Sequence, residues 1–225
     1  MKKLNASKEG LSGSARPVRK RNPEESRRRI LDAAEGAFAR RGFDGARLRD
    51  IAEEAGVHHA LVHHYYGDKR GLFKDVVERG MATVSSIGLA TLNEVELEPA
   101  VVQFVGALCD FFSTRSDLLR IVETAFRDEA SAAYELTAAS LGELAAPLLA
   151  HVRARFVLGQ EQGLVRRDLT PDAMLLFGFS LIVYPFVTGS DFMTSLGIPH
   201  ASGNELAAQK VQLARYIIGA IRPQL

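Results

Sequence analysis

The residues that decide the fold run Gly42-Phe43-Asp44-Gly45-Ala46-Arg47-Leu48-Arg49-Asp50-Ile51-Ala52-Glu53-Glu54-Ala55-Gly56-Val57, then His58-His59-Ala60-Leu61-Val62-His63-His64-Tyr65-Tyr66, then Gly67-Asp68-Lys69-Arg70-Gly71-Leu72-Phe73. Leu48, Ile51, Ala52 and Ala55 recur at helical spacing and form the apolar face of a short helix that Gly56 stops. A second short helix is expected over about residues 58–65. Gly67-Asp68-Lys69 breaks it, and Asp68 is placed to cap the next helix. Gly56 tolerates the positive φ of a tight turn, while Ala52 is small enough for the second helix to cross closely. Ile51, Val57, Val62, Tyr66, Leu72 and Phe73 are predicted to form a small core beneath the pair. The outer face of the second helix is left uncovered.

Upstream, residues 1–22 are rich in Ser, Gly, Lys and Arg with little to bury, and read as a disordered basic arm. Asn22-Pro23-Glu24-Glu25 is a helix start, with a capping Asn, Pro at the first helical position and acids in the first turn. Ile30, Ala34, Ala37 and Phe38 mark the buried side of this helix and Arg27, Arg28, Asp32 and Glu35 its wet side. Gly42 is expected to end it. Downstream, Leu72, Phe73, Val76 and Val77 begin a long helix reaching about residue 92. Beyond Pro99 helical patterns are expected over about 101–112, 118–126, 132–162, 171–187 and 204–221. Pro147 should kink or divide the longest of these, and Thr170-Pro171 opens the most apolar. No strand of alternating pattern occurs. The fold class is all-α, organised as an arm (1–22), a three-helix domain (23–75) and a larger helical domain (76–225).

The charge is split along the chain. Residues 1–75 hold 17 Lys and Arg against 11 Asp and Glu, and residues 76–225 hold 11 against 16. A basic end joined to an acidic remainder suggests that only the first third meets a polyanion. Cys109 is the single cysteine, which excludes a disulfide framework and a cysteine-based zinc site and points to a reducing, cytoplasmic compartment. The first twenty residues lack the apolar core of a signal peptide. The greasiest stretch, 174–187, is too short to span a bilayer and holds Gly178, Ser180 and Pro185, so no membrane association is expected.

The stretch from Gly42 to Phe73 resembles the DNA-binding domain of TetR-family regulators. Some dozen positions agree in spacing and character, among them "DIAEEAGV" and the aromatic-Gly-x-Lys-x-x-Leu-Phe ending, over about residues 26–75. The resemblance implies a helix-turn-helix in which the helix around Arg47–Ala55 supports one that enters the major groove of double-stranded operator DNA. It also implies that Lys69 contacts a phosphate. The DNA-facing residues are then Arg47, Arg49, His58, His59, Ala60, His63, His64, Tyr65 and Lys69. Three positions depart from the usual pattern. Ala46 stands where a capping Thr is frequent, with Asp44 as the available substitute. His58-His59-Ala60 replaces a Ser-Lys-Gly or Ser-x-Gly start, and His63 stands where a phosphate-contacting Tyr is common.

For the remainder, the resemblance implies a homodimer that senses a small-molecule effector. Aromatic and polar side chains on the apolar helices, namely Phe104, Phe111, Arg120, Glu123, Phe126, Phe177 and Tyr184, are the candidate ligand contacts, with Gln103 and Asp110 also available. The aromatic residues at such spacing are more often plain core than ligand contacts, and the polar ones can equally pair with each other or face water. Leu206, Leu213, Ile217 and Ile221 form an apolar stripe assigned to the dimer interface, with an intramolecular core as the alternative. His59 and His63 share a helix face, but no acid or cysteine nearby completes a metal set, so neither a metal nor a cofactor is expected. An enzyme is disfavoured because the chain has no Ser-His-Asp spacing and no phosphate-binding Gly loop. The functional reading is a DNA-binding repressor released by a ligand, with a ligand-free DNA-occupying protein of the same fold as the alternative.

Overall fold

The computed structural model describes residues 22–92, 96–187, 194–195, 197 and 204–223, the side chains of 204–207 excepted. The basic arm expected over 1–22 therefore lies outside the described residues apart from Asn22. The long helices in order are α1 (Pro23–Gly45), α2 (Leu48–Glu54), α3 (His59–Tyr66), α4 (Lys69–Thr91), α5 (Leu97–Thr114), α6 (Ser116–Ala125), α7 (Ala132–Glu161), α8 (Pro171–Val187) and α9 (Asn204–Ile221). No strand occurs among the described residues. The chain is all-α, with an N-terminal helix-turn-helix and a helical C-terminal part.

The capping chemistry explains where several helices begin. Asn22 accepts from the Glu24 amide at 3.1 Å, Asp68 from the Gly71 amide at 2.8 Å, and Thr170 from the Ala173 amide at 3.2 Å. The substitution expected of Asp44 does not occur: Arg47 stands at the N-cap of α2, and no side chain caps the helix. Its first turn instead leans on packing, with Ala46, Ile51 and Ala52 all buried. Gly42 breaks the regular geometry of α1 at φ 67°. Pro147 lies inside α7, which runs on past it for a total of 30 residues and is not divided.

One core joins the three N-terminal helices to α4 and α6. Ile30, Ala34 and Phe38 of α1, Ile51 of α2, Val62 of α3, and Leu72, Phe73 and Val77 of α4 pack with Leu118 and Ile121 of α6. The Phe73 ring meets Phe38 edge-on at 5.0 Å and Phe43 at 5.1 Å, fixing the α1–α4 crossing. Val57 and Tyr66, expected in this core, lie partly buried at its edge. Gly80 allows α4 to approach α6, because a Cβ there would collide with the Leu118 side chain. A second cluster centres on Val105, Leu108, Phe112, Met174, Ile182, Ile217 and Ile221, where α5, α8 and α9 meet.

Glu35 corrects the expectation for α1. The helical pattern puts it on the wet side, yet it is 5% exposed. Arg79 of α4 and Arg115 at the α5–α6 junction both donate to its carboxylate, at 2.6 Å and 2.9 Å. A buried carboxylate is tolerated because two guanidiniums surround it.

Candidate nucleic-acid interface

The outer face of α3 is set by helical geometry. At about 100° per residue, Val62, Tyr66, Leu61 and Tyr65 fall on the inner side and His59, His63, Ala60 and His64 on the outer one. Val62 is fully buried, whereas His58, His59, Ala60, His63 and His64 are all exposed. Gly56, at φ 62°, makes the turn that sets this angle, and a Cβ there would collide with the Arg29 guanidinium. The face carries imidazoles and one methyl group, and no acid.

The surrounding side chains hold α3 in place. The Tyr66 hydroxyl donates to the Arg27 carbonyl at 3.0 Å, and the Arg27 guanidinium lies 4.9 Å from the centre of the Tyr65 ring. Burial, and then the charge of Asp75, push the Tyr66 phenol up to about 12, so it remains a neutral donor. Arg40 pairs with Glu54 at 3.0 Å and Arg41 with Asp50 at 2.8 Å, tying α1 to α2. Arg47 and Arg49 are exposed and enter no ion pair among the described residues. Lys69 is half-buried. Its Nζ donates to the carbonyls of Asp44 at 3.2 Å and Ala46 at 3.4 Å and sits 4.7 Å from the Phe43 ring centre. It therefore fastens the α1–α2 connection to the start of α4, with one N–H left over.

Of the nine expected DNA-facing residues, Arg47, Arg49, His58, His59, Ala60, His63 and His64 are exposed, whereas Lys69 and Tyr65, the latter on the inner side of α3, are half-buried. Sequence reasoning misses the clamp role of Lys69 and the role of Arg27, both of which depend on partners distant along the chain.

The seven expected ligand contacts lie in different settings. Phe104 and Phe111 are half-buried core residues. Arg120 is exposed, and Glu123 pairs with Arg127 at 2.6 Å on the outer face of α6. Phe126 stacks edge-on against Tyr134 at 5.3 Å, while Phe177 and Tyr184 are 56% and 54% exposed. A cleft of about 1140 Å³ lies elsewhere, between the start of α5, the end of α7 and the end of α9. Val102, Gln103, Leu158, Gln162, Arg215 and Ile218 are among its lining residues, and none of the seven lines it. Of these lining residues, the sequence points only to Gln103. Among the described residues no group of three or more His, Cys, Asp or Glu side chains could hold a metal ion.

The stripe expected at the dimer interface faces, in part, the interior of the single chain. Leu213, Ile217 and Ile221 pack inwards with α5, and Ile217 and Ile221 are buried within the single chain. The Leu206 side chain lies outside the described residues. Apolar side chains exposed on α8 and α9 are Leu176, Phe177, Phe179, Leu181 and Tyr184 of α8 and Val211 and Tyr216 of α9. Among the described residues no helix is long and apolar enough to cross a membrane.

Comparison with known proteins agrees with this geometry. Residues 30–76 match the family "Bacterial regulatory proteins, tetR family". The chain is 34% identical over 103 residues to the HTH-type transcriptional repressor SCO4008 of Streptomyces coelicolor, a match covering 45% of this chain and 50% of that protein. It is 26% identical over 153 residues to the HTH-type transcriptional repressor NicS of Pseudomonas putida, covering 68% and 71%. Against the first of these, the chain spans about half the length of its relative. Among solved structures, the fatty acid degradation regulator FadR from Bacillus halodurans superposes with a TM-score of 0.67 at 17% identity, covering 87% of this chain and 99% of that one. A TetR-family regulator from Rhodococcus sp. superposes at 0.61 with 18% identity, covering 88% and 96%. These two likenesses are of fold.

Proposed function

We propose that the chain is an operator-binding transcriptional repressor, a reading supported by the match of residues 30–76 to the tetR-family model and by the likeness to named repressors. It acts as a homodimer that a small molecule releases from DNA. The observation that carries this reading is the face of α3, where His59, Ala60, His63 and His64 are exposed together with no acid among them. The exposed Arg47 and Arg49 beside it suit phosphate contact. SCO4008 and NicS are both named as transcriptional repressors, which supports repression over activation.

Two copies are needed to read two half-sites about 34 Å apart, or a multiple of that spacing. The apolar side chains exposed on α8 and α9 supply the surface for pairing, since a lone chain would leave Phe177, Phe179 and Tyr216 in water. The cleft between α5, α7 and α9 is large enough for a small effector, which favours the ligand-released reading over a ligand-free DNA-occupying protein. An effector that binds better to the conformation with the wrong half-site spacing shifts the dimer off DNA.

Selection of binding sites from a random duplex library, followed by gel shift across a salt series, tests the reading. A palindromic site bound with a steep salt dependence is expected. Absence of any sequence preference in the full chain would overturn it.

A further inference from the structure

The histidines at the two ends of α3 are fixed in opposite tautomers by backbone partners whose roles are not interchangeable. At the start of the helix His58 Nδ1 lies 3.3 Å from the Ala60 amide nitrogen. A backbone N–H can only donate, so Nδ1 is the acceptor and the proton of neutral His58 sits on Nε2. At the other end His63 Nδ1 lies 2.6 Å from the Gly67 carbonyl oxygen. A carbonyl can only accept, so Nδ1 carries the proton and Nε2 of neutral His63 presents a bare lone pair outwards. The ring is steadied on its other side by His59, whose ring meets it edge-on at 4.6 Å.

Its position on the helix decides what that lone pair meets. Taking about 100° per residue, the outer residues come in the angular order His59, His63, Ala60, His64, with His63 and Ala60 in the middle. A helix laid in the major groove points the middle of its outer face at base edges and its flanks at phosphates. We infer that His63 is a specificity-determining residue that accepts a hydrogen bond from a base amino group in the major groove, on adenine N6 or cytosine N4. This rests on the proposed operator binding and goes beyond it. Guanine offers only acceptors at its major-groove edge, as does a phosphate, so either would face the Nε2 lone pair with no proton between them. The resemblance puts a phosphate-contacting Tyr at this position, and His63 in this tautomer has no proton on Nε2 to give a phosphate. The departure from the family pattern is thus a change of hydrogen-bonding sign in the middle of the outer face of α3.

The test uses the full chain and the duplex site selected by it. One position in each half-site should carry adenine or cytosine on the contacted strand. Replacing that base by purine or 2-pyrimidinone, which lack the amino group, should weaken wild-type binding about ten-fold. The same replacement should leave His63→Ala binding unchanged, and His63→Lys, a pure donor, should select guanine there. The salt slope of His63→Ala should equal that of the wild type. If instead the slope falls by about one ion per subunit and every sequence weakens equally, His63 touches a phosphate and the inference is overturned. It is overturned as well if no amino-group deletion couples to His63. Failure of the wild type to bind any duplex would reject operator binding itself, an outcome distinct from both.

Discussion

Arg115 Nε donates to Glu35 Oε1 at 2.9 Å, joining two residues eighty apart in sequence and linking α1 of the DNA-binding head to the α5–α6 junction. The same carboxylate accepts from Arg79 at 2.6 Å, and Arg79 reaches Asp32 at 2.7 Å. Hydrogen bonding to Glu35 raises the Arg115 guanidinium above its ordinary value. Glu35→Ala would leave the Arg79 and Arg115 guanidiniums side by side with only the exposed Asp32 carboxylate on Arg79 as counter-charge. A loss of about 3 kcal/mol is expected, within the range for breaking a buried pair, read from urea unfolding. Arg115→Ala should cost less, because Glu35 keeps Arg79 and Arg115 is itself 34% exposed. Equal stability of Glu35→Ala and wild type would show that the network contributes nothing to joining the two parts.

Lys69 has two tasks that separate in two measurements. Its bonds to the Asp44 and Ala46 carbonyls hold the α1–α2 connection, and its remaining donor is the one that the proposed phosphate contact would use. Lys69→Met keeps the stem over Phe43 and removes the charge. It should bind all duplexes more weakly and lower the salt slope by about one ion per subunit. Lys69→Ala should do the same and also melt earlier. Loss of stability with an unchanged slope would leave Lys69 as a clamp alone.

The features legible in the sequence are those set by neighbours in the chain. Asn22, Asp68 and Thr170 act within three residues of themselves, and the spacing that puts Val62 inside and His63 outside is a property of one helix. Glu35 is misread from the pattern of α1 because its partners lie on α4 and at residue 115, and nothing in that pattern reveals them. The same holds for Ile217 and Ile221. An apolar stripe records that a face is covered, without saying whether the cover comes from α5 of the same chain or from another copy. The cleft is hidden for a related reason, since its walls are the ends of three helices drawn from residues 96–103, 155–164 and 215–223.

Tyr66 gives a pH signature. Its phenol is raised from 10.0 to about 12, by burial first and by Asp75 second. A raised value in the folded state means that folding favours the neutral form. The stabilisation is therefore complete below pH 10 and lost as pH climbs through about 12. Of the five tyrosines, one should ionise late when tyrosinate absorbance is followed in alkali, and Tyr66→Phe should remove that late step. The same variant loses the bond to the Arg27 carbonyl and should be less stable by about 1 kcal/mol at neutral pH. Persistence of the late step in Tyr66→Phe would assign it to another tyrosine.

The dimer proposal is tested by two charges placed at neighbouring positions of α9, one buried and one exposed. Ile217 is 8% exposed and packs inside the chain, whereas Tyr216 beside it is 66% exposed. Ile217→Asp would bury an unpaired carboxylate in the α5–α8–α9 cluster, which costs several kcal/mol, and should unfold the C-terminal part whatever the oligomeric state. Tyr216→Asp meets only water in the single chain, so its helical circular dichroism and monomer fold should survive. In a dimer paired through α8 and α9, two such carboxylates would be driven into an apolar interface across the two-fold axis. Light scattering should then report half the wild-type mass for Tyr216→Asp, and operator affinity should collapse because one head cannot span two half-sites. Phe177→Asp on α8 should behave in the same way, as Phe177 is 56% exposed. If both variants remain dimeric and bind the operator normally, the chains pair through some other surface, and the exposed aromatics of α8 and α9 need a different partner.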